Sequence, residues 1–497
     1  MKILKSFYLL LSLVVLAPFA ACSDDDNDSR FETLEVAPEL LADGIAMEPQ
    51  GGTTTFQVKA STPIQVSVTS DDKDDDLAWI TATSAGRIAD GYTVTVTTLP
   101  NDTKAARSAK VQMFAQNVSR TVVVKQATGY VAPEPGPDAT IKDISAIELA
   151  KLMTAGVNIG NTMEVPGGET GWGNPKVSQA YIKGLKALGF NAVRVPCAWD
   201  SHVTDKAKNT IDPEWLARVD EVVGWIVAED MYAIVNIHWD GGWLENNVHL
   251  AFSDEINKKQ HDYWTQIAGQ LNHYDEHLLF AGMNEPDKKD SDSGVSNIIK
   301  YQQTFIDAVR ATGGNNALRV LVVQAPSTNI DLSVKSDYRD NLPTDAVAGK
   351  LMAEVHFYDP SDFTIMDKDG DWYPGSKVKW FWGAANLVEG SDRNSDSDES
   401  YVASQFAKMK ASYVDKGIPV ILGEYSSSIR DAGEYQAQHE ASRAYWNEVV
   451  TREARNNGCV PFYWETGGDI NRASGTAACQ YAIDGITRGV QASSYPF

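Results

Sequence analysis

The sequence predicts an α/β protein, with a (β/α)8 TIM barrel preceded by a small all-β, immunoglobulin-like sandwich domain. Three observations lead to this prediction. The 497 residues are too many for one ordinary domain. Residues 36–128 contain short runs rich in β-branched side chains, which is typical of an all-β unit. From Gly156 onward, strand-like runs alternate with helical ones, as they do in a barrel of parallel strands.

The first 21 residues predict an export signal. Lys2 and Lys5 precede an apolar run over residues 7–20, and the run ends on small side chains. This run is too short to span a bilayer as a permanent helix. We therefore expect residues 1–21 to be removed during export.

Cys22 follows two alanines directly and resembles the lipidated first residue of a bacterial lipoprotein. Ordinary secretion with cleavage nearby is the alternative. Residues 22–35 form an acidic tether, and "SDDDND" at 23–28 resembles the surface-export signal of Bacteroides-type bacteria. A solvated spacer explains the same composition. The resemblance implies a lipid anchor in the outer membrane and a position on the bacterial cell surface.

Residues 36–128 predict a β-sandwich. "YTVTVTTL" at 92–99 alternates apolar and polar side chains strictly, and "RTVVVKQ" at 120–126 is β-branched. Polar loops separate such runs, and about ninety residues of short strands suit two packed sheets. The acidic loop at 71–76 could bind calcium, although a solvated turn explains it as well.

Three blocks of this segment resemble the Bacteroidetes-associated carbohydrate-binding domain called BACON. They are "LAWITATS" with Trp79, "AARSAKVQMF" with Arg107, and the closing "VVVKQA". The resemblance leaves two roles open, a spacer or a sugar-binding module. Three prolines then stiffen residues 129–140 into an extended linker.

Residues 141–497 predict the barrel. Eight runs read as its strands: "GVNIG" at 156, "AVRVP" at 192, "YAIVNIH" at 232, "LLFAGMN" at 278, "RVLVVQ" at 319, "LMAEVH" at 351, "PVILGEY" at 419 and "VPFYWE" at 460. Helical runs lie between them at 177–188, 213–228, 258–271, 297–311, 401–415 and 436–456.

Active sites of such barrels lie at the carboxyl ends of the strands. The polar residues at these ends are Arg194, His238, Asn284, Glu285, His356, Tyr358, Glu424 and Trp464. Two of them are carboxylates on strands four and seven, which a barrel brings to opposite sides of one pocket. We find no metal-ligand cluster and no serine or cysteine nucleophile motif in this set, so the pattern indicates glycoside hydrolysis without a metal or cofactor.

The two carboxylates need different protonation states for this chemistry. Arg194 is the cation expected to keep one glutamate ionised, and burial with a neighbouring charge should keep the other protonated. A gap of about 5 Å between them would mean a retaining mechanism, whereas about 6.5–9.5 Å would mean an inverting one.

"FAGMNEPD" resembles the Asn-Glu-Pro signature of glycoside hydrolase family 5, and "AVRVPCAW", "IVNIHWD", "EVHFYDP" and "VILGEYS" resemble its other blocks in order. The resemblance covers about residues 145–497. It implies that Glu285 is the acid/base and Glu424 the nucleophile. It further implies that Asn284 holds the sugar 2-hydroxyl, that Arg194 and Tyr358 orient and ionise Glu424, and that the −1 subsite is formed by His238, His356 and Trp464.

Within the family, "NIGNTMEV" and "IDPEWLARVDEVV" resemble the endoglucanase subfamily often numbered four, which includes xyloglucanases and lichenases. Where many members carry two histidines, this chain has His238 and Trp239, followed by "DGGWLENN". Trp239 and Trp243 are candidates for substrate binding or for core packing.

These features predict an endo-acting, retaining enzyme that cuts β-1,4 bonds of plant cell-wall β-glucan. Xyloglucan is favoured, and mixed-linkage glucan or cellulose derivatives come next. An endo-β-1,4-mannanase and a non-catalytic surface glycan-binding lipoprotein are the alternatives. The net charge of −24 argues against nucleic acid as a partner, and we expect a monomer.

Other features have two interpretations each. Cys459 and Cys479 could form a disulfide or remain free thiols. His273 and His277 are four residues apart, as in a zinc site, but a helix-surface pair is the simpler interpretation. "DKDGDW" at 367–372 could be a calcium loop or a polar turn. Trp372, Trp380 and Trp382 are candidates for the cleft or the core.

Overall fold

A computed structural model describes residues 32–70, 77–101, 106–128, 140–289, 291 and 293–497. These residues fall into two compact units that adjoin in the sequence at Ala127 and Thr128. The signal, Cys22, the acidic loop at 71–76 and nearly all of the linker lie outside the described residues. Among the described residues, no helix has the length and apolarity needed to cross a membrane.

The N-terminal unit is the predicted sandwich, built from two four-stranded sheets. One sheet has the order Leu34–Val36, Gly52–Ala60, Gly91–Thr98 and Ile80–Arg87, and the other has the order Ile45–Met47, Val118–Gln126, Arg107–Ala115 and Gln65–Thr69. All pairings are antiparallel except that of Ile45–Met47 with Val118–Gln126, which is parallel. A short helix, Pro38–Asp43, precedes the second strand.

The alternating pattern of this unit has the expected cause. In Gly91–Thr98, every second side chain is buried, and Val94 and Val96 are fully enclosed in the core. The guanidinium of Arg107 lies 4.4 Å from the ring centre of Trp79, so the two residues that mark the sequence blocks stabilise each other. The first strand begins at Leu34, so the tether is shorter than the predicted 22–35, because residues 34–36 pair with Gly52–Ala60.

The C-terminal unit is a closed barrel of eight parallel strands, as predicted. In chain order these strands are Gly156–Ile159, Ala192–Val195, Tyr232–Asn236, Leu278–Ala281, Leu321–Gln324, Leu351–His356, Val420–Tyr425 and Cys459–Glu465. The eighth strand pairs with the first and closes the barrel. We refer to them below as barrel strands one to eight.

Most helices follow a strand on the outside of the barrel, whereas Ala146–Leu152 precedes strand one and contributes side chains to the barrel interior. The longer ones are Gln179–Ala187, Pro213–Ala228, Asp254–Gln270, Gly294–Ala311, Glu399–Ser412, Gln436–Asn456 and Gln480–Gln491. Shorter ones are Ala146–Leu152, Ile330–Ser333, Ser336–Arg339 and Ser361–Thr364. The helix predicted to start at Lys258 starts four residues earlier, because the Ser253 side chain accepts a hydrogen bond from the Ile256 amide and caps it.

The barrel interior has an apolar lower layer and a polar upper layer. Along strand two, Ala192 belongs to the same apolar cluster as Ile234 and Phe462, together with side chains of helix Ala146–Leu152. Arg194, two residues later, points to the same side because side chains of a strand alternate. The apolar layer therefore supports a polar layer at the carboxyl ends of the strands.

Asn158 of barrel strand one joins this polar layer to the seam of the barrel. Its side-chain amide donates to the carbonyl of Gly423 at 2.8 Å, with longer contacts to those of Tyr463 and Phe462 at 3.3 and 3.4 Å. Its Oδ1 accepts a hydrogen bond from Arg194 at 2.9 Å. One buried amide thus links strands one, two, seven and eight.

Candidate active site

Arg194 is the centre of the polar layer. Its side chain is fully buried, and its Nη1 donates to Glu424 Oε1 at 2.9 Å. Its Nη2 lies 2.9 Å from Asn284 Oδ1 and 3.0 Å from Glu354 Oε1. Burial acts to lower the pKa of this guanidinium, but the surrounding carboxylates outweigh it and the pKa is raised. One permanent cation therefore holds side chains from strands six and seven and from the segment that follows strand four.

The carboxylate of Glu424 lies among these side chains and accepts a hydrogen bond at each oxygen. Its Oε1 accepts from Arg194, and its Oε2 accepts from the Tyr358 hydroxyl at 2.9 Å. The pairing of strand seven with strand six shifts register beside His356, and its pairing with strand eight shifts after Leu422. Such irregularities change the direction of a side chain, and here they flank Glu424.

Glu285 faces Glu424 across the pocket. An oxygen of Glu285 lies within 4.8 Å of an oxygen of Glu424, and a ring nitrogen of His356 lies within that distance of both. An inverting enzyme needs a wider gap, because a water must fit between one carboxylate and the sugar. The short separation therefore fits a retaining mechanism. The same atoms are close enough to hold a metal ion, but Arg194, Tyr358 and His356 already occupy them as hydrogen-bond donors or partners.

The pKa directions of the two carboxyls differ from those expected from the sequence. Burial acts to raise the pKa of Glu285, but the hydrogen bond from His356 and the charges of His356 and Arg194 outweigh it, so the pKa is lowered. Burial raises the pKa of Glu424, and His356 and Arg194 only partly oppose this. The low pKa of Glu285 arises from a second cation, His356, which was not predicted to be charged. The raised pKa of Glu424 arises from burial, which outweighs both cations.

His356 carries the proton that was predicted to lie on a glutamate. Its Nδ1 is 2.6 Å from Glu285 Oε1, and its Nε2 is 3.2 Å from Glu354 Oε1. Burial opposes the charged imidazole, but Glu424, Glu285 and Glu354 raise its pKa to about 10. The charged imidazole of His356 therefore donates to the carboxylate of Glu285 across a short hydrogen bond.

The free energy of unfolding should fall as the pH rises from about 6.5 to about 10, because His356 binds its proton more tightly in the folded state than in the unfolded state. Its stabilisation is complete below the unfolded pKa and is lost as the pH passes the folded one. Denaturant titrations across this range should show a smaller fall for His356→Asn than for wild type. His261→Asn, on the exposed face of Asp254–Gln270, is the control. Parallel curves for wild type and His356→Asn would contradict the assignment.

His238 and Trp464 form one wall of the site. Their rings stack with centres 5.6 Å apart and planes within 4° of parallel. Burial, with the positive charges of Arg194 and His356, holds the pKa of His238 well below its usual value, so this imidazole is neutral. The pair forms a flat, uncharged surface of the kind on which a sugar ring can rest.

Two carboxyl groups of the site were not predicted from the sequence. Glu354 is fully buried on strand six, where it contacts Arg194 and His356 and accepts from Gln324 Nε2 at 2.7 Å. An acidic residue inside the apolar run "LMAEVH" was the signal that could have identified it. Glu245, in the loop after strand three, contacts Asn284 and Glu285, and no local pattern marked it.

Gly423 allows Glu354 and His356 to approach strand seven. A Cβ at this position would lie 2.0 Å from Glu354 Oε1 and 2.9 Å from His356 Nε2. Both groups would have to move, although each is held by several partners. The glycine before Glu424 is therefore required by the site.

Gly423→Ala should lower kcat by about tenfold or more, because it displaces groups that hold Glu285 and Glu424, and it should cost about 1–3 kcal/mol of stability. Initial rates and thermal unfolding would measure both effects. Gly269→Ala is the matched control, since a Cβ there meets nothing within 4 Å. Equal behaviour of the two variants would refute the crowding argument.

The structure separates the two tryptophans after strand three. Trp239 is 41% exposed, next to His238. Trp243 packs against the barrel core, meets Tyr263 edge-on and donates to Asp240 at 3.1 Å. Trp239 remains available to substrate. Trp243 is half-buried with its ring packed on the core, which favours the packing alternative for this residue.

The other tryptophan candidates also differ in exposure. Trp382 is fully buried in the core, and Trp380 is half-buried with the guanidinium of Arg393 4.6 Å from its ring centre. Trp372 is exposed on the loop after strand six. Of these three, Trp372 alone presents a free face.

The proposed zinc and calcium motifs have other partners. His273 pairs with Asp220, and His277 pairs with Asp275, so the two imidazoles do not share a ligand position. In the 367–372 loop, Asp369 accepts two hydrogen bonds from Arg393, which agrees with the polar turn and not with the calcium alternative.

Cys459 and Cys479 do not form a disulfide, and both are free thiols. Cys459 is the first residue of barrel strand eight and is buried. Cys479 donates to the carbonyl of Gly468, three residues beyond the last residue of that strand. The length of the strand, about 20 Å for seven extended residues, separates the two.

Comparisons with known proteins agree with this geometry. Residues 157–469 match the family model described as cellulase (glycosyl hydrolase family 5), and residues 65–127 match BACON, described as a putative N-terminal binding domain. The chain is 31% identical to a xyloglucan-specific endo-beta-1,4-glucanase from Bacteroides ovatus, over 97% of this chain and 96% of that one.

Two solved structures extend the comparison. A family 5 xyloglucan-specific beta-1,4-glucanase from a ruminal metagenomic library, in complex with XXLG, has a TM-score of 0.65 and 39% identity, covering 71% of this chain and 98% of its own. A broad-specificity endoglucanase of subfamily 4 from Bacteroides salanitronis has a TM-score of 0.61 and 34% identity, covering 71% and 96%.

Proposed function

Because the chain belongs to glycosyl hydrolase family 5, we propose that it is an endo-acting β-1,4-glucanase that cuts xyloglucan with retention of configuration. The observation that carries the proposal is the approach of Glu285 and Glu424 to within 4.8 Å at the carboxyl end of the barrel. Two carboxylates this close suit double displacement at a sugar carbon.

Each carboxylate has one role in the proposed reaction. Glu424 attacks the anomeric carbon while Glu285 protonates the departing glycosidic oxygen, so one C–O bond forms as another breaks. Glu285 then removes a proton from water, and the water oxygen replaces Glu424 on the same carbon. Arg194 and Tyr358 direct Glu424 by donating one hydrogen bond to each of its oxygens.

The proton for the first step comes from the pair of Glu285 and His356. Their 2.6 Å hydrogen bond lets the proton move to Glu285 as a glycosidic oxygen approaches and the site closes to water. As Glu424 becomes esterified it loses its negative charge, which removes one of the charges that hold the proton on His356. The proton therefore becomes easier to transfer from His356 to Glu285 as the glycosidic bond breaks.

Xyloglucan is the favoured substrate because relatives with this specificity match the chain over most of their length. Exposed aromatic rings on the loops after strands one, three and six also suit a long, decorated chain: Trp172, Trp239 and Trp372. Mixed-linkage glucan and carboxymethylcellulose come next, given the broad-specificity relative.

The test is digestion of xyloglucan, barley β-glucan, carboxymethylcellulose, glucomannan and mannan by the mature protein, with sizing of the products. We expect xyloglucan to yield short decorated oligosaccharides, and we expect the β-configured reducing end to appear first by proton NMR. If the protein cut only mannans, the proposed substrate would be wrong and the proposed mechanism would stand. Retention on a glucan affinity gel with no turnover of any glycan would favour the glycan-binding alternative.

We also propose that Cys22 carries lipid and anchors the protein, as a monomer, on the outside of the outer membrane. The two alanines before Cys22 and the acidic run after it support this. In a Bacteroides-type host, labelled palmitate should enter the wild type but not Cys22→Ala, and protease added to whole cells should degrade the wild type. Soluble, unlabelled wild-type protein in the medium would contradict the anchor, and size-exclusion chromatography with light scattering would test the monomer.

A further inference from the structure

Glu245 lies beside the active site and has no part in the mechanism described so far. It opens the short helix Glu245–Asn247, which follows barrel strand three. The Asn247 side chain fixes this turn by donating to the carbonyls of Gly242 and Trp243 at 3.1 and 2.9 Å. Glu245 is therefore held on an ordered segment and not on a free loop.

Three contacts tie Glu245 to the "NEPD" segment. Its Oε2 accepts from Asn284 Nδ2 at 3.4 Å and from the backbone amide of Glu285 at 3.2 Å. Its own carbonyl accepts from the backbone amide of Asp287 at 3.2 Å. One residue from the third loop thus spans the stretch that carries the acid/base.

The amide of Asn284 is held at both ends. Arg194 donates to its Oδ1 at 2.9 Å, which forces the NH2 group to the opposite side. Glu245 accepts one of the two N–H bonds on that side. The remaining N–H has a fixed direction and meets no other acceptor among the described residues, so it can donate to a hydroxyl of the sugar.

The charge around Glu245 indicates which form makes these contacts. Within the described residues, Glu245 has no ion pair with a lysine, arginine or histidine. Burial and the negative charges of Glu285 and Glu424 raise its pKa to about 8. At neutral pH it is therefore mainly the neutral acid, which accepts hydrogen bonds without adding a further negative charge beside the two catalytic carboxylates.

We infer that Glu245 is a positioning residue, which fixes the side-chain amide of Asn284 and the backbone of Glu285 for glycosyl transfer. The inference rests on the proposed function. It assigns the loop after strand three a part in the reaction through Asn284 and Glu285, not through contact with the reacting atoms. A carboxamide should replace the side chain, because its oxygen accepts the same two hydrogen bonds.

The experiment compares Glu245→Ala and Glu245→Gln on the glucan that the wild type cuts best. We expect Glu245→Ala to lower kcat by about 10- to 100-fold with KM changed less than about threefold, since it loosens groups needed at the transition state. Glu245→Gln should stay within about threefold of wild type. Asn246→Ala, the exposed neighbour on the same short helix, is the control and should match the wild type.

A double-mutant cycle with Asn284→Ala tests the route of the effect. If Glu245 acts mainly through Asn284, Glu245→Ala should cost less than about threefold in the Asn284→Ala background. Full additivity would overturn the route through Asn284. Failure of Glu245→Gln to restore kcat, or wild-type kcat in Glu245→Ala, would overturn the inference as a whole. A wild type that cuts no β-1,4-glucan would instead overturn the proposed function and the inference with it.

Discussion

Glu424→Ala will lower kcat on xyloglucan by about 10⁴-fold or more, because the covalent intermediate cannot form without this carboxylate. The fold should survive, since alanine leaves Arg194 paired with Glu354 at 3.0 Å. Rates from reducing-end assays, with thermal unfolding as the check on folding, would measure the effect. Residual activity above about one per cent of wild type would show that another group is the nucleophile.

Azide would separate the roles of the two carboxylates. Glu424→Ala leaves a space from which azide can attack an activated aryl β-cellobioside directly, so the product should be the α-azide. Glu285→Ala should still form the intermediate from a substrate with a good leaving group, and azide should then give the β-azide. If Glu424→Ala gave the β-azide and Glu285→Ala the α-azide, the two roles would be reversed. The pKa directions of the two groups do not by themselves decide these roles.

Arg194→Met will reduce both activity and stability. It leaves Glu354 and Glu424 buried without the guanidinium that contacts both, and breaking a buried ion pair costs about 3–5 kcal/mol. Loss of the donor to Glu424 Oε1 should also lower kcat by about 100-fold or more. Urea unfolding and steady-state kinetics below the unfolding transition would measure the two effects separately.

Arg319→Met is the matched control for this prediction. Arg319 is also fully buried, but it donates to backbone carbonyls of Tyr274, Asp275 and Leu278, away from the site. Its loss should destabilise the protein by a few kcal/mol and leave the kcat of the folded enzyme near that of wild type. A similar loss of kcat in both variants would mean that Arg194 acts only by holding the fold.

The barrel was predictable from sequence because its signals are local. Each strand is an apolar run, and polar residues stand at or close to the ends of most of these runs. Because the carboxyl ends of parallel strands meet by topology, the strand pattern alone places Arg194, Glu285 and Glu424 together. The end of the tether was not predictable to the residue, because Leu34 joins a strand only through a partner at Ala60.

The features that were not predictable depend on contacts between distant segments. The low pKa of Glu285 follows from His356, which lies 2.6 Å away. Glu245 gains its role from a contact with the backbone amide of Glu285, 40 residues later in the chain. Trp239 and Trp243 have the same composition around them, and only packing against Tyr263 distinguishes them. The missing disulfide likewise follows from the strand that separates the two thiols.

The amide of Asn158 joins the first strand of the barrel to the two strands that are synthesised last. Asn158 leaves the ribosome 304 residues before Phe462, whose carbonyl it contacts, and 265 residues before Gly423. Until strand eight arrives, the barrel has an open edge, and the amide that supports Arg194 lacks part of its support. We therefore expect a chain that ends before Cys459 to be inactive, although it contains both Glu285 and Glu424, because the strand that closes the barrel is missing.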